Sequence, residues 1–304
     1  MMGLITDRVQ KILLELLEKE GIKFDYLPDI EKDDLMRIVG NYDFIIVRSR
    51  TKVNREILDK AVNLKVIIRY GVGLDNIDVN YANEKGIKVF NTPRAFTEAV
   101  AELTLAMILA LLRGVGEAHY SMKMGKWEKK RFFGPELMDK TVAILGFGRI
   151  GRRVADLLMP FNVKIIAYDI ANIPKEYVEK GVIVAKSIEE AIVNADIITL
   201  HMPLTKDTYN LINMELIKKM RRKPFIINTA RGGIINIEDI KKAIKEDIIR
   251  GIALDVYPQE PPNDEELRSL PNVLMTPHIG AQTYEAYERA AYEVINILKE
   301  NLMD

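Results

Sequence analysis

Polar side chains that could handle a proton or an anion stand directly after several β-rich runs in the second half of the chain. His201, Arg231, Asp255 and His278 each follow such a run, and Glu260 comes shortly after Asp255. In an open parallel sheet the carboxyl ends of the strands line the crevice that binds ligands. An imidazole can take up a proton near neutral pH, a guanidinium matches a carboxylate, and a carboxylate can orient the imidazole. These residue types suit proton abstraction from a secondary alcohol that carries a carboxylate.

A glycine motif in the same half of the chain indicates a dinucleotide. Gly146, Gly148 and Gly151 form a GxGxxG that follows the run TVAIL and opens the helical stretch RIGRRVADLL. The glycines allow a tight turn, close approach of the backbone to pyrophosphate, and close packing of helix on strand. Asp169, at the end of the next run, would bind the adenosine ribose and repel a 2′-phosphate, which favours NAD over NADP. The alternative is a capping aspartate beside a glycine turn that serves packing alone.

Strand-like and helix-like segments alternate along the chain and predict two parallel sheets covered on both faces. The predicted strands of the first half are residues 3–6, 23–27, 42–47, 64–70 and 87–90. Those of the second half are residues 141–145, 164–168, 196–200, 224–228, 251–256 and 272–276. Residues 99–112 predict a buried helix that is apolar nearly all round, and residues 284–302 predict a long closing helix.

Composition limits the classes of function. The 304 residues carry 44 basic and 44 acidic side chains, so no net field favours nucleic acid or an acidic membrane. There is no cysteine, which excludes disulfides, thiolate metal ligands and a cysteine nucleophile, and no metal site is predicted. The first residues lack the pattern of a signal peptide, and the apolar residues 99–112 are too short to span a bilayer. A cytoplasmic location is expected.

The motifs RYGVGLDNID, ILGFGRIG, NTARGG, ALDVYPQEPP and TPHIGA resemble the D-isomer-specific 2-hydroxyacid dehydrogenase family in order and spacing. Within that family, IIVRSRTKV, MGKWEKKRFFGPEL and HIGAQT are similar to the branch that oxidises D-3-phosphoglycerate. Tyr70 and Val72 depart from the residues that close relatives often carry beside the carboxylate pocket. Because the sequence ends soon after the closing helix, a short form without the C-terminal regulatory domain of some members is expected.

The resemblance implies roles for particular residues. Arg231 would hold the substrate carboxylate, His278 would be the acid/base, and Glu260 would hydrogen-bond His278 and keep it in its working state. Backbone amides around Val72 and Gly73 would face the substrate carboxylate, and Arg48, Ser49 and Arg50 would face its phosphate. The residues expected to line NAD are Gly146, Gly148, Arg149, Ile150, Gly151, Asp169, His201, Met202, Pro203, Thr229, Ala230, Arg231, Asp255, His278, Gly280 and Ala281.

The family fold that the resemblance implies is α/β and discontinuous. A Rossmann NAD-binding domain, residues 97–281, would be inserted into a flavodoxin-like substrate domain built from residues 1–96 and 282–304. Both would be doubly wound parallel-sheet domains. This arrangement accounts for two similar halves and for a closing helix that has no partner strand. A homodimer is expected from the family and is compatible with the apolar helix at residues 99–112.

Several residues have a second interpretation. His278 could be a structural histidine at a strand end, and His201 is interpreted as lining the cleft, outside the catalytic set. Arg48 and Arg50 could be solvated arginines, and the basic cluster Lys129–Arg131 could be a solvated loop or could reach a neighbouring subunit.

The function predicted is NAD-dependent oxidation of D-3-phosphoglycerate to 3-phosphohydroxypyruvate, as in serine biosynthesis. The alternatives are a glyoxylate or hydroxypyruvate reductase, a D-lactate-type dehydrogenase, and an NAD-sensing corepressor-like binding protein.

Overall fold

The computed structural model describes residues 1–302, and the chain divides into two compact units. The first unit comprises Met1–Thr97 and the chain from Ala281 onward, and the second comprises Glu98–Gly280. The second unit is therefore inserted into the sequence of the first.

The first unit is built on a five-stranded parallel sheet in the order β2-β1-β3-β4-β5. The strands are β1 Met2–Ile5, β2 Lys23–Tyr26, β3 Phe44–Val47, β4 Val66–Arg69 and β5 Lys88–Asn91. The central strand β3 is buried along its whole length, as a strand covered on both faces must be. The strand order reverses between β1 and β3, so the loops after these two strands border the sheet's switch point.

Helices cover this sheet. They are α1 Lys11–Lys19, α2 Lys32–Ile38, α3 Arg55–Lys60, α4 Val79–Glu84 and the closing helix α13 Tyr284–Leu302. Leu13, Leu16 and Leu17 of α1 are buried, which is the spacing of one helical face. The closing helix buries a stripe of its own and is tied to the end of α1 by an ion pair of 2.6 Å between Lys299 and Glu20.

The second unit is built on a seven-stranded parallel sheet in the order β12-β11-β10-β9-β6-β7-β8. Its strands are β6 Thr141–Leu145, β7 Lys164–Tyr168, β8 Ile183–Val184, β9 Ile197–Leu200, β10 Phe225–Asn228, β11 Gly251–Leu254 and β12 Val273–Met275. Its helices are α5 Thr97–Leu112, which starts at the boundary, α6 Val115–Lys123, α7 Arg149–Leu158, α8 Lys175–Glu179, α9 Ile188–Ile192, α10 Met214–Ile217, α11 Ile237–Lys245 and α12 Glu265–Ser269. The predicted fold class is confirmed for both units.

The apolar helix α5 packs into the second unit's core, where Met107, Ile108 and Leu112 are buried. A bidentate pair between Glu98 of α5 and Arg153 of α7 fixes its start, with Arg153 Nε 2.9 and 2.8 Å from the two carboxylate oxygens. Over residues 1–302 no single helix has the length and apolarity to cross a membrane; α5 and α6 meet those criteria together, with a bend of 68° between them.

Candidate active site

The candidate catalytic residues of the second unit follow neighbouring strands at one edge of the sheet. Arg231 follows β10, Asp255 follows β11, and His278 follows β12, and these three strands are adjacent. All are parallel, so their carboxyl ends lie at the same edge. His201 follows β9 on the other side of β10.

His278 and Glu260 are in direct contact. The Nδ1 atom of His278 lies 2.8 Å from Oε2 of Glu260, and the two side chains are 51% and 40% exposed. The second oxygen of Glu260 accepts a hydrogen bond of 3.1 Å from the backbone N–H of Tyr257. Because Nδ1 is engaged, the Nε2 atom is the ring nitrogen that can exchange a proton with a ligand; within residues 1–302 it has no hydrogen-bond partner. The pair has the geometry of an oriented general acid/base.

Asp255 holds the loop that carries His278. Its carboxylate is 1% exposed and accepts hydrogen bonds from Thr276 Oγ1 at 2.7 Å and from the N–H groups of Ile279 and Gly280 at 2.8 Å each. These donors stand on both sides of His278, whose backbone has the left-handed φ of 53°. A non-glycine residue holds that conformation when its surroundings enforce it. Sequence reasoning put Asp255 beside the cofactor and did not identify this anchoring contact.

Arg231 is held in a turn that packs against the segment leading to Glu260. Asn228 fixes the turn, because its side chain donates to the Arg231 carbonyl at 2.9 Å and accepts from the Ala230 N–H at 3.0 Å. Gly232 follows, and a Cβ there would lie 1.9 Å from the carbonyl carbon of Tyr257. Only glycine permits this close approach. The turn of Arg231 is thereby placed directly against the chain that leads to Glu260.

The glycine turn between β6 and α7 has the features expected of a dinucleotide site. A Cβ at Gly146 would lie 2.6 Å from the carbonyl carbon of His201, and one at Gly151 would lie 2.1 Å from the carbonyl oxygen of Gly146. A Cβ at Gly148 would meet nothing within 4 Å. Gly148 caps α7 without a side-chain hydrogen bond, so the first N–H groups of the helix are left for an anion.

Asp169 lies next to this turn, as predicted for an acid that selects the adenosine ribose. One carboxylate oxygen accepts from the Phe147 N–H at 2.5 Å and the other from the Ala171 N–H at 2.8 Å. The neighbouring Ile170 side chain is 97% exposed, an apolar group with no packing role in the unit.

His201 is a neutral histidine. Burial lowers the pKa of its imidazole to about 3, and Nε2 lies 2.9 Å from the hydroxyl of Thr199 in β9. Beside it Met202 is half-buried and Pro203 is exposed. After the next strand, β10, Thr229 is tied to Thr104 of α5 by a hydrogen bond of 2.9 Å between their hydroxyls.

The candidate substrate residues of the first unit follow β3 and β4, which are neighbours in its sheet. Arg48, Ser49 and Arg50 follow β3, and Val72 and Gly73 lie in the loop after β4. The structure joins the two loops through Asn76, whose amide donates to the carbonyls of Arg48 at 2.7 Å and Thr51 at 2.6 Å. Sequence reasoning did not single out Asn76.

Within residues 1–302 no group of three or more histidine, aspartate or glutamate side chains could hold a metal ion. Residues 105–280 match the family model for the D-isomer specific 2-hydroxyacid dehydrogenase, NAD binding domain. The chain belongs to this family. The matched residues, which correspond to the NAD-binding domain of the family, lie inside the second unit, and NAD is the cofactor of this dehydrogenase family.

Relatives with similar sequence identity to this chain are named for different substrates. It is 44% identical over 300 residues to the D-3-phosphoglycerate dehydrogenase of Methanocaldococcus jannaschii, covering 98% of this chain and 57% of that protein. It is 46% identical over 305 residues to the hydroxypyruvate reductase of Thermotoga maritima, covering 97% of each. The chain thus spans little more than half the length of the first relative and nearly all of the second.

A solved structure shares the fold of this chain. A protein from Thermus thermophilus superposes with a TM-score of 0.87 at 33% identity, over 96% of this chain and 93% of that one. The glycine turn, the open α7 start and Asp169 fit the dinucleotide that the family binds.

Proposed function

We propose that this dehydrogenase oxidises D-3-phosphoglycerate to 3-phosphohydroxypyruvate, with His278 as general base, Glu260 as its partner and Arg231 as the anchor of the substrate carboxylate. The observation that carries the proposal is the contact of 2.8 Å between His278 Nδ1 and Glu260 Oε2. It leaves Nε2 for the substrate hydroxyl, and it presents a carboxylate to the imidazolium that forms when the proton is taken up.

The protein groups have separate tasks in the proposed reaction. His278 Nε2 removes the proton of the C2 hydroxyl, and Glu260 stabilises the resulting positive charge. The Arg231 guanidinium binds the carboxylate and the oxygen at C2, which keeps the reacting carbon in place. NAD, when bound, supplies the acceptor for the hydride that leaves C2. Asp255 maintains the loop geometry that these steps require.

The cofactor site in this proposal uses the residues around the glycine turn and the ends of the neighbouring strands. Gly148 allows the pyrophosphate to approach the backbone, Asp169 binds the adenosine ribose, and exposed Ile170 covers the adenine ring. The neutral His201 adds no charge beside the cofactor. The remaining residues proposed for contact with NAD are Gly146, Arg149, Ile150, Gly151, Met202, Pro203, Thr229, Ala230, Arg231, Asp255, His278, Gly280 and Ala281.

The choice of a phosphorylated substrate rests on the first unit. Arg48 precedes Ser49 after β3, Asn76 ties the Arg48 carbonyl to the loop that contains Val72 and Gly73, and a guanidinium suits a phosphate. The name of the Methanocaldococcus jannaschii relative supports the same substrate. A role in serine biosynthesis and a location in the cytoplasm belong to this proposal.

Hydroxypyruvate reduction is the second candidate, and full-length coverage of the Thermotoga maritima reductase at 46% identity favours it. This reaction would use the same acid/base pair in the opposite direction, and it would need no phosphate site.

Steady-state kinetics would separate the candidates. NAD reduction would be followed with D-3-phosphoglycerate, D-glycerate and D-lactate, and NADH oxidation with phosphohydroxypyruvate, hydroxypyruvate, glyoxylate and pyruvate. We expect kcat/KM for the phosphorylated pair to exceed the others by at least roughly tenfold, as one well-placed charged contact provides. A preference for hydroxypyruvate or glyoxylate would change the substrate assigned to the enzyme and would leave the proposed role of the acid/base pair unchanged. Binding of NAD without turnover of any acid would favour an NAD-sensing binding protein.

The proposal includes a homodimer formed through the second unit. Residues 115–138 expose several large apolar side chains, an unusual concentration for a free surface: Val115, Tyr120, Met122, Met124, Trp127, Phe133 and Met138. A groove of 440 Å³ beside them is lined in part by Tyr120, Met124 and Leu274. A second copy would cover the same patch on both partners, because a two-fold interface uses identical surfaces.

A further inference from the structure

The side chain of Arg50 is hydrogen-bonded to groups of the first unit. Its Nε donates at 3.1 Å to Asp7, a carboxylate that is 2% exposed. The two terminal nitrogens donate to the carbonyls of Ile30 at 3.1 Å and Thr6 at 2.5 Å. A buried carboxylate needs a partner, and Arg50 supplies the compensating charge. Little of this guanidinium is left for a ligand.

Arg48 has a different environment, although it lies two residues away. Its guanidinium stacks on the ring of Tyr287, 5.0 Å from the centroid, and donates to the hydroxyl of the same tyrosine. One further N–H donates to the carbonyl of Arg8 at 3.0 Å. Among the residues that the structure describes, no carboxylate pairs with this guanidinium, and three of its five N–H groups have no partner. Its charge is therefore available to an anion.

Tyr287 is itself held firmly. It belongs to the closing helix, is 3% exposed, and accepts at its carbonyl a hydrogen bond of 2.7 Å from the Tyr70 hydroxyl. The ring of Tyr70 lies 5.6 Å away, and the ring of Phe96 meets it edge-on at 5.5 Å. Burial raises the pKa of Tyr70, so its hydroxyl stays protonated and keeps donating. Three aromatic rings thus form a rigid platform under Arg48.

We infer that Arg48 alone of the two arginines recognises the anionic tail of the substrate, that Tyr287 is the positioning residue that aims it, and that Arg50 braces Asp7. This inference rests on the proposed function for the identity of the tail, a phosphate. A guanidinium fixed in advance loses less conformational freedom on binding than a mobile one, so the platform strengthens anion binding without adding a contact.

The first measurement is binding of inorganic phosphate to the NAD-saturated protein by titration calorimetry, because bound NAD keeps phosphate from the start of α7. Compared with wild type, Arg48→Met should weaken phosphate binding by roughly tenfold or more, since it removes a charged contact. Tyr287→Phe should weaken it by about threefold to tenfold, because it removes one hydrogen bond that orients the guanidinium. Tyr292→Phe, on the same helix and 51% exposed, is the matched control and should change nothing.

Arg50 is tested with two variants. Arg50→Lys keeps a positive charge beside Asp7 and should bind phosphate within about twofold of wild type. Arg50→Met should lower the melting temperature, because it leaves the buried carboxylate unpaired. If Arg50→Lys weakened phosphate binding as much as Arg48→Met, or if Tyr287→Phe behaved like Tyr292→Phe, the inference would be wrong. It would also be wrong if the wild-type protein bound no phosphate.

Steady-state kinetics then separate a failure of this inference from a failure of the proposed substrate. With phosphohydroxypyruvate, Tyr287→Phe should raise KM by the same factor and leave kcat unchanged, and with hydroxypyruvate it should change neither. A wild-type enzyme that prefers an unphosphorylated acid, yet binds phosphate through Arg48 and Tyr287, would overturn the proposed substrate and leave only the anion site of Arg48 and Tyr287 standing.

Discussion

At the scale of single residues, the histidines of this chain show how position decides chemistry. His278 is half-exposed and paired with Glu260, whereas His201 is half-buried, hydrogen-bonded to Thr199 and lowered in pKa by burial. His119, the third histidine in the sequence, is exposed on α6. An exposed imidazole with an oriented carboxylate can exchange protons with a ligand near neutral pH, while an imidazole whose pKa is lowered by burial stays unprotonated there.

Glu260→Gln should lower kcat/KM on the order of 10²-fold, because the amide can no longer stabilise the imidazolium of His278. His278→Ala should reduce it at least as far, and NAD affinity should stay close to wild type in Glu260→Gln, because Glu260 is not among the residues proposed to contact NAD. Steady-state rates and NAD titrations would check this. Glu265→Gln, an exposed glutamate nearby in α12, is the control. Near-normal turnover in either site variant would remove the pair from the mechanism.

His201 should make the protein less stable in acid. Its pKa is about 3 in the folded chain and about 6.5 when unfolded, so below pH 6.5 the unfolded state binds the extra proton. Stability is therefore lost progressively as the pH falls from about 6.5 towards 3, with a contribution of up to about 2 kcal/mol at pH 5. Thermal unfolding at pH 7, 6 and 5 should show a smaller loss for His201→Gln than for wild type. His119→Gln should follow wild type, and an equal slope in all three proteins would contradict the prediction.

At the scale of elements, the strand–turn–helix unit β6–α7 could be predicted from the sequence because its apolar strand, its glycines and its helix are contiguous in the chain. The three glycines nevertheless have different tasks. Gly146 and Gly151 are close to backbone atoms of the protein, and Gly148 faces open space. We therefore predict that Gly146 and Gly151 serve packing and that Gly148 serves the ligand.

Two alanine variants test this division. Gly151→Ala should lower the melting temperature, because its Cβ would meet the carbonyl oxygen of Gly146 at 2.1 Å. Gly148→Ala should leave the melting temperature of the protein without cofactor unchanged, yet weaken NAD binding by roughly tenfold or more, since the methyl group would occupy the space of the pyrophosphate. Thermal melts and NAD titrations on both proteins would check it. Unchanged NAD affinity in Gly148→Ala would place the pyrophosphate elsewhere.

The elements that sequence patterns did not reveal are short or exposed. Strand β8 has two residues, both exposed, at the edge of the second sheet, so no apolar run marks it. Several predicted strands are longer than the observed ones; residues 64–70 contain the four-residue β4. Tyr70, at the end of that prediction, leaves the sheet and joins the aromatic platform under Arg48.

At the scale of the whole molecule, the exposed apolar residues 115–138 predict self-association. Light scattering coupled to gel filtration should give the mass of a dimer, about twice 34.7 kDa. The double variant Trp127→Asp with Phe133→Asp should shift it to the monomer, because these side chains are 80% and 88% exposed and would carry charge into the interface. Val62→Asp, also 80% exposed but in the first unit, should remain a dimer. A monomeric wild type would contradict the prediction.

The sequence by itself determined the fold class, the family and the edge at which the chemistry-bearing residues lie. Alternating strand and helix patterns require parallel sheets, and in a parallel sheet every strand delivers its carboxyl end to the same side. Only the tertiary structure decided which atoms those residues touch. Asp255 anchors the His278 loop, Asp7 holds Arg50, and Tyr287 supports Arg48 from a helix more than two hundred residues further along the chain. Such contacts depend on how distant helices and loops pack and on which side-chain rotamers that packing allows, and no local pattern encodes either.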